Sequence, residues 1–113
     1  MLTIEKLKEY GADVNEGLNR CMNNESFYLM LIGKALNDNR LEQLEEQLNS
    51  KDLDGAFESA HALKGMYANL SLTPLSKPII EMTELLRTRT DMDYSGLLNE
   101  AKIQFIALKT LSD

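Results

Sequence analysis

The sequence is poor in the residue types that build disulfides, metal sites and aromatic clusters. It has no tryptophan, one cysteine, one histidine, two prolines and six glycines. The single cysteine, Cys21, cannot form a disulfide within the chain, which fits a reducing compartment. One histidine leaves too few nitrogen and sulfur ligands for a zinc site of the usual composition. Runs of β-branched residues, which favour strands, are absent as well.

Positive charge is also scarce. The chain has 12 Lys and Arg against 18 Asp and Glu, which gives a formal net charge of −6. We therefore expect neither nucleic acid nor an anionic membrane as a partner, because no basic stripe is available to neutralise phosphates. No run of about 18 apolar residues could cross a membrane, and Met1 to Glu5 lacks the character of a signal peptide. These features predict a cytoplasmic protein.

The residues that are abundant favour helices. Apolar residues make up 43% of the 113-residue chain, and Leu, Met and Ile must do most of the packing. Together with Ala, Glu, Lys and Gln, they favour helix over strand. We predict one all-α domain over 1–113, an antiparallel up-down four-helix bundle at 23–111 with a short N-terminal helical extension at 1–20.

Capping residues and apolar spacing divide the chain into helices. Thr3 and Gly11 bound a short helix, and the last helix is expected near 94–111. The segment from Asn24 to Leu48 is interrupted at Asn37–Asn39 and could form one bent helix or two. The remaining helical segments are expected at 12–22, at 53–70 and from Thr73-Pro74 onward, where Pro78 could kink the helix or shift its start.

The only histidine lies in the central helix, in the stretch Ala60-His61-Ala62-Leu63-Lys64-Gly65. The core stripe of this helix is residues 53, 56, 60, 63 and 67, and His61 lies about 120° from its centre. We therefore expect His61 to be at least partly exposed. Lys64, Gly65 and Ala68 fall on the same side, since residues three, four and seven positions apart share a helix face.

This arrangement suits the transfer of an anionic group. A neutral imidazole nitrogen can attack an electrophile, and Lys64 could stabilise negative oxygens gathered at His61. Gly65 lacks a Cβ, so another backbone could come close. The sequence contains neither a nucleophile elbow nor a Gly-rich phosphate loop. A phosphoryl group supplied by a partner needs no more than this patch.

The run His61-x-Leu63-Lys64-Gly65 resembles the signature of the histidine phosphotransfer (HPt) domain, and the resemblance extends over roughly residues 20–111. The resemblance implies a four-helix bundle in which His61 takes a phosphoryl group from a receiver-domain aspartate and passes it to another. It also implies that Lys64 lies near the phosphoryl group and that Gly65 lets the receiver dock. We expect the docking surface to include Ala60 and Ala68.

The same resemblance assigns two positions on the next helix. Thr83 stands where the family often has a glutamine that orients the imidazole, and Arg87 is the basic residue one turn later. The sequence departs from the family pattern at three further positions. Ser71 stands where glycine is usual, and Met66 and Tyr67 follow Lys64-Gly65 where small residues are common.

The leading interpretation is a monomeric phosphocarrier without autokinase activity or a cofactor of its own. Its partners would be a response-regulator receiver domain, which supplies magnesium, and a sensor or hybrid histidine kinase. The first alternative is an HPt-like interaction module that binds a receiver without being phosphorylated. The second alternative is an acid–base enzyme that uses His61.

Overall fold

The computed structural model describes all residues from Met1 to Asp113 and contains helices and no strands, which confirms the all-α prediction. Seven helices follow one another along the chain. They are α1 (Ile4–Tyr10), α2 (Val14–Arg20), α3 (Glu25–Leu36), α4 (Arg40–Asn49), α5 (Leu53–Asn69), α6 (Thr73–Arg87) and α7 (Ser95–Ser112). None of the seven combines the length and the apolar character needed to cross a membrane.

Local capping explains where several of these helices begin and end. The side chains of Thr3, Asn24 and Asp52 each accept a hydrogen bond from the backbone N–H three residues later, at 3.2, 3.0 and 3.0 Å. These bonds satisfy N–H groups that have no partner within the helix. Gly11 ends α1 with φ at 109°, a left-handed conformation that glycine adopts without strain.

Two features that the sequence left open are resolved. The segment from Asn24 to Leu48 forms two helices, α3 and α4, separated at Asn37–Asn39. Helix α6 begins at Thr73, with Pro74 in its first turn, and continues through Pro78. Pro78 therefore does not shift the helix start.

Helices α4 to α7 pack as consecutive neighbours, since each short connection brings the next helix back alongside the previous one. An ion pair of 2.8 Å between Lys102 of α7 and Glu45 of α4 joins the first and last of these four helices. Helix α5 contributes a fully buried stripe, which consists of Ala56, Ala60, Leu63 and Tyr67. This packing leaves the opposite side of α5 free for His61.

The N-terminal helices share the core of the bundle. Leu7 of α1 and Val14 of α2 are buried in the same apolar cluster as the stripe of α5. The Tyr10 hydroxyl donates to the Gln104 carbonyl of α7 at 3.2 Å. Burial raises the pKa of Tyr10, because desolvation disfavours the charged phenolate.

Three contacts tie the first part of the chain to the turn between α5 and α6. Arg20 Nη1 donates to the Ala68 carbonyl at 2.7 Å, and the Asp13 N–H donates to the Ser71 carbonyl at 2.9 Å. The Tyr28 hydroxyl donates to the Leu70 carbonyl at 2.7 Å. Burial is the main cause that raises the pKa of Tyr28 to about 12, which keeps this donor protonated.

Ser71 adopts a backbone conformation that suits glycine. Its φ is +56°, and its buried hydroxyl has no hydrogen-bond partner. A left-handed residue with a Cβ is strained by roughly 1 kcal/mol, and an unpaired buried hydroxyl adds a desolvation cost. This position is the one where the HPt resemblance leads us to expect glycine, and its geometry supplies a physical reason for that preference.

We expect Ser71→Gly to raise the free energy of unfolding by about 1 kcal/mol, because relief of strain and removal of the hydroxyl outweigh the backbone entropy of glycine. Urea denaturation measures the change. Ser71→Ala is the matched control, since it removes the hydroxyl but keeps a Cβ at positive φ. Equal stability of the two variants would contradict a strain at Ser71.

Candidate functional site

His61 lies on the exposed side of α5, as the helical phase predicted. Its imidazole stacks on the ring of Phe57, one turn earlier, with centroids 5.6 Å apart and planes inclined by 29°. Because the buried stripe faces the other way, the stacked ring stays accessible to solvent. Phe57 therefore supports the imidazole from one side and leaves the rest of it open to a partner.

Phe57 is also the platform for two guanidinium groups. Arg87 Cζ lies 5.3 Å and Arg89 Cζ 4.7 Å from the ring centroid, within the range of cation–π attraction. Arg89 Nε also donates to Asp54 Oδ1 at 2.6 Å, which joins the connection after α6 to the first turn of α5. Two cations thus lie against the ring that supports His61.

Lys64 and Arg87 share one carboxylate. Lys64 Nζ lies 3.3 Å from Glu84 Oε1, and Arg87 Nε lies 3.4 Å from Glu84 Oε2. Hydrogen bonds from Arg87 and then from Lys64 hold the pKa of Glu84 below its usual range, so the carboxylate is charged at neutral pH. Glu84 thereby links α5 to α6 beside the histidine.

The network around His61 has a net positive charge, although the whole chain is negatively charged. The network holds three cations, Lys64, Arg87 and Arg89, and two carboxylates, Asp54 and Glu84. It is therefore positive by one charge on a protein whose formal net charge is −6. The three cations would favour the binding of a dianionic group close to them.

Gly65 leaves open space next to His61 and Lys64. A Cβ built at Gly65 would meet no atom within 4 Å, and the residue is exposed. No packing inside the protein therefore requires a glycine here. Ala68, one turn later, is half-buried and continues the low surface.

The prediction that Ala60 and Thr83 contact a partner at the surface is wrong, because both residues are buried. Ala60 is 0% exposed because it belongs to the buried stripe of α5, so its side chain cannot touch a partner. Thr83 is also 0% exposed, and its hydroxyl donates to the Ile79 carbonyl of its own helix at 2.7 Å. The hydroxyl makes no hydrogen bond with the imidazole of His61 in this structure.

The sequence did not single out Phe57, Glu84 or Arg89 as site residues. Phe57 lies four residues before His61, and this spacing was a signal for stacking of the two rings. Glu84 precedes Arg87 by three residues, which predicts a pair on α6 but not the additional bond to Lys64. Arg89 lies in a polar connection, where residue order gives no indication of its contact with Phe57.

The patch is not part of a large cleft. The largest one, about 690 Å³, lies between the α4–α5 connection and the start of α7, and its lining includes Glu45, Lys51 and Tyr94 but not His61. The structure contains no group of three or more His, Cys, Asp or Glu side chains arranged to hold a metal ion. His61 thus lies on an open surface outside this cleft.

In a comparison with known families, the chain matches the model of the Hpt domain over residues 34–111. The matched segment contains α4, α5, α6 and all but the last residue of α7, and with them His61, Lys64 and Gly65. Neither the curated proteins nor the solved structures gave a match to this chain. The match covers more than half of the chain, so the protein belongs to the Hpt domain family, whose role is histidine phosphotransfer in phosphorelays.

Proposed function

We propose that the protein is a phosphocarrier in which His61 accepts a phosphoryl group from a receiver-domain aspartyl phosphate and passes it to the aspartate of another receiver. The observation that carries this proposal is the exposed imidazole beside Lys64 and Gly65, within the segment that matches the family. The positive charge of the surrounding network supports it, because both donor and product carry negative oxygens.

The proposed step is a direct displacement at phosphorus. A neutral ring nitrogen of His61 forms the N–P bond while the O–P bond of the aspartyl phosphate breaks, and the receiver carboxylate leaves as an anion. The second ring nitrogen keeps its proton, so no general base is needed. The reverse reaction delivers the phosphoryl group to the next receiver.

Each neighbour of His61 has a role in this proposal. Lys64 and Arg87 stabilise the oxygens of the phosphoryl group, and Phe57 holds the imidazole in the absence of a hydrogen bond from Thr83. The receiver docks over Gly65 and Ala68, and it supplies the magnesium ion. In this proposal the chain is a cytoplasmic monomer without autokinase activity. A sensor or hybrid histidine kinase upstream supplies the phosphoryl group to the relay.

Phosphotransfer from phosphorylated receiver domains tests the assignment of His61 as the phosphoacceptor. Receiver domains from the same genome, phosphorylated with acetyl phosphate and magnesium, should label the wild-type chain with a phosphate that is acid-labile and base-stable. We expect His61→Gln to abolish this label, because no other histidine is present. Equal labelling of His61→Gln would refute the assignment.

A second prediction concerns Lys64. Lys64→Gln should slow transfer from the receiver about tenfold, because a cation that stabilises developing negative charge is lost. Lys77→Gln is the matched control. Lys77 is exposed on α6, and its substitution changes the net charge by the same amount at a position outside the network around His61. Rapid-quench measurement with both variants gives the comparison, and equal rates would argue against a role for Lys64.

A third prediction separates the docking role of Gly65 from its effect on stability. Gly65→Ala and Gly33→Ala should each stabilise the fold by about 0.5–1 kcal/mol, because both glycines lie inside helices with open space around them. Only Gly65→Ala should slow receiver transfer, by about threefold or more, as a methyl group is added at the docking surface. Thermal melts and transfer rates check both parts, and unaltered transfer by Gly65→Ala would contradict docking over this residue.

One observation favours a second candidate, a module that binds a receiver without being phosphorylated. The residue expected to orient the imidazole, Thr83, is buried and bonded to its own helix. Receiver affinity that is unchanged by His61→Ala, with no phosphohistidine from any donor, would support this candidate. An acid–base enzyme has no such support, since His61 lies outside the largest cleft.

A further inference from the structure

Glu84 makes contacts that a surface glutamate does not need. Its two oxygens bind Lys64 of α5 and Arg87 of α6, the two cations proposed to stabilise the phosphoryl group. The contacts form a chain that runs from His61 to Lys64. His61 stacks on Phe57, Arg87 lies over Phe57 and binds Glu84, and Glu84 binds Lys64, which is one helical turn from His61.

We propose that Glu84 is a built-in counter-ion that holds Lys64 and Arg87 while His61 is unphosphorylated, and that it must release them when the phosphoryl group arrives. Glu84 would thereby set the position of the phosphotransfer equilibrium. This inference rests on the proposed function and goes beyond it by naming the residue that sets how readily the carrier gives up its phosphoryl group.

The physical basis is competition between two anions for the same donors. A phosphoryl group brings about two negative charges and three acceptor oxygens, and Lys and Arg bind such groups strongly. Each cation that turns to the phosphoryl group must first leave the Glu84 carboxylate. The carboxylate then remains close to the new charge and repels it.

The exposure of the network makes this exchange feasible. The side chains of Glu84 and Arg87 are about half exposed, at 54% and 46%, so the carboxylate can turn into water when it loses its partners. Exposed ion pairs of this kind are weak, so the release is not a large barrier. The lowered pKa of Glu84 keeps it anionic at neutral pH, and protonation therefore does not relieve the competition.

The consequence is a bias toward donation. The carboxylate stabilises the unphosphorylated carrier by pairing with the cations and destabilises the phosphorylated carrier by repulsion. Both effects lower the fraction of His61 that is phosphorylated at a given ratio of phosphorylated to unphosphorylated donor. A carrier with this bias hands its phosphoryl group on more readily than one with a neutral residue at position 84.

The experiment uses phosphoramidate, a small donor that transfers its phosphoryl group to histidine with release of ammonia and needs no receiver. The full chain is brought to equilibrium at a fixed ratio of phosphoramidate to ammonium, and the phosphorylated fraction is read by intact mass spectrometry. Glu84→Gln keeps the size and a hydrogen-bond acceptor but removes the charge. Glu81→Gln is the matched control, because Glu81 is exposed on the same helix and has no ion pair.

We expect Glu84→Gln to shift the equilibrium toward phosphorylated His61 by about three- to tenfold at low salt. The shift should shrink in about 1 M salt, where charges on the surface are screened. Glu81→Gln should shift it by less than half as much. A role for Glu84 in folding alone would change the thermal melting temperature and would not give this dependence on salt.

The outcomes separate this inference from the proposed function. If the wild type is phosphorylated but Glu84→Gln matches either the wild type or Glu81→Gln, the counter-ion role is refuted and the phosphocarrier remains. If neither phosphoramidate nor any phosphorylated receiver domain labels the wild type, both proposals fail. A shift toward the unphosphorylated form would show that Glu84 assists the phosphoryl state, which is the opposite of the inference.

Discussion

The phase of α5 is the constraint on which the site depends. Ala56, Ala60, Leu63 and Tyr67 must face the core, since they form the fully buried stripe that packs this helix between its neighbours. Their burial turns the residues on the other side of the helix outward, and His61 and Lys64 are among these. A change of helical register would exchange a buried leucine for the nucleophile, so the packing that stabilises the bundle also presents the imidazole.

A second level of organisation is electrostatic and depends on two helices at once. The chain as a whole is acidic, yet the network around His61 is positive by one charge because Lys64, Arg87 and Arg89 converge there. The aromatic ring of Phe57 makes this possible. It gives two guanidinium groups a surface to lie on and holds the imidazole at the same time, so charge and nucleophile are positioned by one side chain.

The sequence was sufficient for what depends on local order. The bounds of α1, the start of α5 and the exposure of His61 follow from caps and from the spacing of apolar residues, which act over one or two helical turns. His61, Lys64 and Gly65 lie on one helix, so the spacing along the sequence was enough to place them together.

What the sequence could not supply depends on how α5 and α6 are aligned. The bond from Lys64 to Glu84 joins residues 20 positions apart, and no periodicity along one helix predicts it. Thr83 was expected at the site because it stands where the HPt family often has a glutamine. Its hydroxyl instead bonds to the preceding turn, an option that is always open to threonine in a helix. Ala60 adjoins His61 in sequence but belongs to the opposite face.

The contacts of Arg20 and Tyr28 have a consequence for the end of α5. The Ala68 and Leu70 carbonyls lie at the C-terminal end of that helix, where the regular backbone bonds stop, and Ala68 also accepts from the Ser71 N–H at 3.0 Å. Each of the two carbonyls accepts a hydrogen bond from a side chain. The donors come from α2 and α3, some 40 residues or more earlier in the chain. Arg20 and Tyr28 both lie outside residues 34–111, so the last turn of α5 is held by side chains from outside the segment that matches the Hpt domain model.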